Sequence, residues 1–139
     1  MLLSRARLLI VTLWAGSLWT VGYLVAPTLF GTLADRVLAG TIIGSMFRIE
    51  AWLSLACALA LLAVFYLSKD VTAQRRRTLV LVVVAMLSCT LVSHFGLQPV
   101  MAAMKEAGER STFGMLHGVS MVLYLVQAML AVVLVVKNP

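Results

Sequence analysis

Charge is scarce in this chain: Asp, Glu, Lys and Arg make up 12% of its 139 residues, and only five are acidic. A soluble domain carries about 25% charged residues, so a water-solvated globule is excluded. Cysteine is scarce too. Cys57 and Cys89 both lie inside apolar runs, without a CxxC pair, which excludes a disulfide framework and a thiolate metal knuckle. There is no phosphate-binding glycine loop, no carboxylate dyad and no nucleophile beside a base, so an enzyme is the poorest fit.

What the chain does have is apolar length. Hydrophobic residues make up 63% of it, and the mean hydropathy is +1.06. The runs 8–30, 51–68, 79–97 and 113–136 contain no Asp, Glu, Lys or Arg. Each approaches or exceeds the about 20 residues that a helix needs to cross a bilayer core. Lipid offers the backbone no hydrogen-bond partner, and the runs lack the in/out alternation of barrel strands. The sequence therefore predicts an all-α membrane protein, a single domain over 1–139 folded as a bundle of four transmembrane helices, with spans at about 8–30, 48–68, 79–98 and 113–136. Arg5 and Arg7 before the first run also suit a signal peptide. However, the run exceeds a typical signal core, and Pro27 follows the small residue Ala26, so an uncleaved first helix is expected.

The basic residues set the expected orientation. Arg5, Arg7, Lys69, Arg75, Arg76, Arg77 and Lys137, with one acid, Asp70, fall on one side of such a bundle. The other side holds Arg36, Arg48, Lys105 and Arg110 with Asp35, Glu50, Glu106 and Glu109, a balance of +6 against 0. An excess of Lys and Arg marks the cytoplasmic face, so both termini are expected inside a membrane of the bacterial inner or plasma membrane type. The same argument accounts for the three adjacent arginines through headgroups rather than nucleic acid.

Residues 31–50 are too polar to span and too apolar for a solvated loop. Leu33, Val37, Leu38, Ile42, Met46 and Ile49 recur near helical spacing, which predicts an extra amphipathic or extended segment between helices one and two, lying at the outer interface or lengthening helix two. Gly40 and Gly44 have the small-residue spacing that permits close helix contact.

Counting about 1.5 Å per residue places His94 and His117 about 24 and 30 Å from the basic side, near the outer boundary. Gln98, Ser93 and Ser120 lie at similar depth, and Arg48 and Glu50 enter from the start of helix two. These residues make a candidate polar pocket. Arg48 and Glu50 are two apart and cannot share a helix face, so at least one needs a partner on another helix. Gly114 and Gly118 flank His117, which is expected to bond across a close interface. Two imidazoles are also a partial donor set for haem or a transition metal, but no third ligand stands at coordinating spacing, so no metal site is assigned. Among the aromatics, Trp52 and Tyr66 suit interfacial belts, and Trp14 is deep enough to pack inside.

The segments Trp14-Ala-Gly16, Gly22, Ala26-Pro27, Leu29-Phe30, Ala39-Gly40 and Phe47 resemble the opening of the family called domain of unknown function 4149, which includes transmembrane protein 205. The resemblance continues through Pro99 and Met101, and through Phe113-Gly114-Met115-Leu116-His117-Gly118 with Ser120. It implies a compact four-span protein and no particular activity. His94 is not among the motif residues. The expected partners are the lipid bilayer and a second copy of the chain or another membrane protein. Three function classes remain: a protein handling a solute, lipid or ion through an outer polar pocket, a haem- or metal-binding redox protein, and an accessory subunit of a larger membrane complex.

Overall fold

The computed structural model describes residues 1–139 as four long helices and no strand: α1 (Leu2–Thr32), α2 (Arg36–Leu67), α3 (Ala73–Glu106) and α4 (Arg110–Lys137). All four are long and apolar enough to cross a membrane. They form an up-down bundle in which α1 and α3 each pack against α2 and α4.

The segment after helix one resolves into a short break and a longer helix two. The chain is extended at Leu33 and Asp35, and the Asp35 carboxylate accepts from the amides of Val37 and Leu38 at 3.0 and 3.1 Å. That cap satisfies two of the orphan donors and starts α2 at Arg36, twelve residues before the expected span. Residues 36–47 are thus the first turns of α2 rather than a separate helix. At the connection of α3 and α4, Gly108 takes a φ of 75° while the Glu109 amide reaches back to the Met104 carbonyl. This left-handed end is one that glycine adopts without cost.

The bundle is dry at one end and splayed at the other. The core is built from Val11, Trp14 and Leu18 of α1, Ala58, Leu61 and Phe65 of α2, Leu79, Val83 and Met86 of α3, and Ala131 and Leu134 of α4. These all belong to the half that carries both termini. There Arg7, 1% exposed, donates to Asn138, Ser68 and Asp70 at 3.2, 3.4 and 3.4 Å, joining the N-terminus, the α2–α3 connection and the C-terminus. Arg76 donates to the carbonyls of Ser68 and Val71.

Where the core ends, two helices change their winding. α1 has a π-helical turn over Val21–Val25 followed by Pro27, and α3 has one over Leu91–Leu97 followed by Pro99. A proline removes the donor that an α-turn requires, and the wider turn re-routes the hydrogen bonding around it. Beyond these turns the bundle encloses a cavity.

Candidate functional site

The cavity has a volume of about 950 Å³ and opens among all four helices in the half away from the termini. Polar residues line its deep end: Glu50 and Ser54 from α2, Thr90 from α3 and Gln127 from α4. Farther from the core stand Ser93, His94 and Gln98 of α3 with His117 and Ser120 of α4, and Arg36 and Lys105 stand near the helix ends remote from the termini.

Most of the buried polar groups are used to fasten helices together. Trp14 donates its indole N–H to Ser54 Oγ at 2.9 Å, and Ser17 donates to Glu50 Oε1 at 3.0 Å, tying α1 to α2. Gln127 donates to Thr90 at 2.8 Å, and the Ser93 and Ser120 hydroxyls meet at 3.0 Å, tying α3 to α4. Trp19 donates to the Ala128 carbonyl at 3.1 Å and Tyr124 to the Leu18 carbonyl, tying α1 to α4. In lipid these bonds replace the hydrophobic drive that holds a soluble bundle.

An aromatic corner forms beside Glu50. The Tyr124 ring meets Tyr23 at 5.9 Å and Phe47 at 5.3 Å between centroids, both edge to face. Gly22 makes room for it, because a Cβ there would overlap the Tyr124 ring. Glu50 is 4% exposed and carries no cationic partner; the one ion pair of the molecule is Arg7 with Asp70 at the opposite end.

The residues singled out in the sequence fall into two groups. Glu50, His94, Gln98, His117 and Ser120 all line the cavity. Arg48 does not: it is exposed on another face of α2, so the partner expected for the Arg48–Glu50 pair is Ser17 on the Glu50 side. His117 makes no direct hydrogen bond to another helix, and its ring stacks on Phe113 of its own helix at 6.1 Å. The close neighbour expected at Gly114 and Gly118 is absent, and nothing lies within 4 Å of a Cβ built at either, nor at Gly40 or Gly44. Gly40 and Gly44 border the cavity, which is why no helix packs there. No group of three or more His, Cys, Asp or Glu side chains comes together as a metal site.

Of the motif residues, Gly22, Pro27, Phe30, Gly40, Phe47, Met101 and Phe113 line the cavity. Trp14 sits beneath it in the core and holds Ser54, while Gly16, Pro99 and Gly118 lie outside its wall. Sequence reasoning missed Ser54, Thr90, Tyr124 and Gln127. A lone amide such as Gln127 inside a charge-free span was a usable signal, since lipid makes an unpaired amide costly.

Residues 9–110 match a family model described as Domain of unknown function (DUF4149). The match takes in α2, α3 and about three quarters of α1 and stops at the first residue of α4, so the Phe113–His117–Ser120 part of the resemblance lies beyond it. No curated protein and no solved structure matches the chain.

Proposed function

We propose that this chain, which belongs to the DUF4149 family by its match over residues 9–110, binds a small polar solute in the outer half of its four-helix membrane bundle. The observation that carries this reading is the cavity of about 950 Å³, in which His94, Gln98 and His117 stand without a hydrogen-bond partner from the protein. Polar side chains are costly in a membrane and usually face a wet cavity or a ligand. Ligand pockets run to about 300–1,000 Å³, so this one holds a solute with room for water. At 28 to 34 residues the four helices of one chain leave room for this cavity between them.

Helix length supports an outward opening. α2 has 32 residues, about 48 Å, against a hydrocarbon core of about 30 Å. With Lys69 and Arg75–Arg77 at the cytoplasmic headgroups, the excess projects outward. Arg48 then reaches the outer boundary, and Glu50 lies just below it, about 26 Å from Leu67.

The test is thiol accessibility in intact cells, with Cys57 and Cys89 replaced by alanine. Ser93→Cys, inside the cavity, is expected to react with a membrane-impermeant thiol reagent added outside. Gln74→Cys, in the opposite half, is expected to react only after permeabilisation. A Ser93→Cys thiol reached only from the inside, or a Gln74→Cys thiol labelled in intact cells, would contradict the reading.

A further inference from the structure

Glu50 is the only acidic residue buried in the molecule, and the bundle does not neutralise it. Ser17 donates to Oε1 at 3.0 Å and the Ser54 hydroxyl lies beside the carboxylate, so neutral hydroxyls and no cation face it. A carboxylate taken out of water is costly unless paired with a cation or fully hydrogen-bonded. The other buried charge, Arg7, has three acceptors on two segments, one of them the Asp70 carboxylate, so the fold gives a countercharge to Arg7 and none to Glu50.

The walls beside that carboxylate are aromatic. Phe47 precedes Glu50 by three residues on α2, so both share a helix face. Tyr124 stands across from Phe47 and next to Tyr23, with the rings at 74° and 68° to one another. Rings at such angles turn π faces in more than one direction along the wall. The Tyr124 hydroxyl is committed to the Leu18 carbonyl, so toward the cavity this residue offers its ring rather than a donor.

We propose that the solute is an organic monocation, an amine or quaternary ammonium, whose charged nitrogen sits between the Glu50 carboxylate and the rings of Phe47 and Tyr124. This assignment rests on the cavity being a solute site. Carboxylate and ring faces attract the same soft, weakly hydrated charge, and the attraction strengthens as water is excluded. A divalent metal fits worse, because it needs six or more oxygen ligands or a cluster of His, Cys and carboxylate, and no such cluster forms. The cations of the cavity wall do not compete. Arg36 lies about 21 Å from Glu50 along α2, too far to pair with it, and Lys105 is exposed near the far end of α3. Arg48, on another face of its helix, is within electrostatic reach of His94 in the cavity wall but forms no ion pair with Glu50. Ser54, Thr90 and Gln127 bring no charge to the floor.

The experiment is calorimetric titration of the full chain in a maltoside detergent, which has no phosphocholine headgroup to compete. Choline chloride is compared with its uncharged analogue, in which a tert-butyl group replaces the trimethylammonium. Choline is expected to bind at least about tenfold more tightly, and Glu50→Gln to remove that advantage while leaving the analogue unchanged. Phe47→Leu weakens choline alone. Should Glu50→Gln fail to fold, the wild-type ratio of the two probes decides. Glu50-dependent binding of dihexanoylphosphatidylcholine without free choline would place the same cation in a lipid headgroup and support the assignment. Equal affinity for choline and the analogue would overturn it and leave the cavity as a solute site. Binding of no probe overturns it as well, and the Ser93→Cys labelling then shows independently whether the cavity reading falls with it.

Discussion

Arg7→Ala is expected to lower the stability of the detergent-solubilised protein by about 2–4 kcal/mol, while Arg5→Ala two residues away stays within about 0.5 kcal/mol. The contrast follows from placement. Arg5 is exposed, whereas Arg7 is 1% exposed and donates to Asn138, Ser68 and Asp70 on two different segments. Its removal leaves a void where the side chain packed and strands acceptors at the closed end of the bundle. The Asp70 carboxylate is 57% exposed and regains water, so the loss stays below that of a fully buried pair. Arg7→Lys restores only part of it, because one ammonium cannot repeat the fork that reaches three acceptors. Thermal unfolding of the three variants checks this, and equal midpoints for Arg5→Ala and Arg7→Ala would show that the terminal lock contributes nothing.

Gly22→Ala is expected to cost about 1–3 kcal/mol by overpacking and to weaken solute binding with it. A Cβ at Gly22 would overlap the Tyr124 ring, which the Leu18 carbonyl, Tyr23 and Phe47 hold in place. Relief comes by swinging Tyr124 into the cavity, which breaks its bond to α1 and fills space beside Glu50. Adding Tyr124→Leu to Gly22→Ala removes the ring and should recover part of the stability, so the two changes are non-additive. Gly16→Ala, where nothing lies within 4 Å of the new methyl, is the control. Additive stability losses at Gly22 and Tyr124 would separate the two residues.

The four spans were legible because lipid imposes one rule on every residue of a run. A helix converts residue count into distance, so Glu50, His94, Gln98, His117 and Ser120, expected at similar depth, line one cavity, whereas Arg48, expected with them, is exposed on another face. What stayed hidden depends on pairings between distant helices. Nothing local in Gly22 announces Tyr124, and nothing in Ser54 announces Trp14, since each pair is fixed by how α1 sits against its neighbours. The small-residue spacings at Gly40, Gly44, Gly114 and Gly118 pointed to close packing, yet a glycine equally leaves room for a cavity or for lipid, and spacing alone cannot choose. Arg7 read as a topology signal because a basic residue before a span suits headgroups. Its burial requires Asn138 and the Ser68–Asp70 connection to arrive at the same end.

If the cavity is a solute site, water fills the bundle among the halves of the four helices remote from the termini and nowhere deeper. Hydroxyl-radical footprinting of the protein in lipid nanodiscs locates that water, because the radicals form only where water is. Met121 and Met129 both lie on α4 and are 61% and 60% exposed, but Met121 lines the cavity and Met129 does not. Met86 is fully buried in the dry core. Met121 is expected to be oxidised, with Met129 shielded by lipid and Met86 by packing. Protection of Met121 equal to that of Met86 would mean that no water-filled cavity exists.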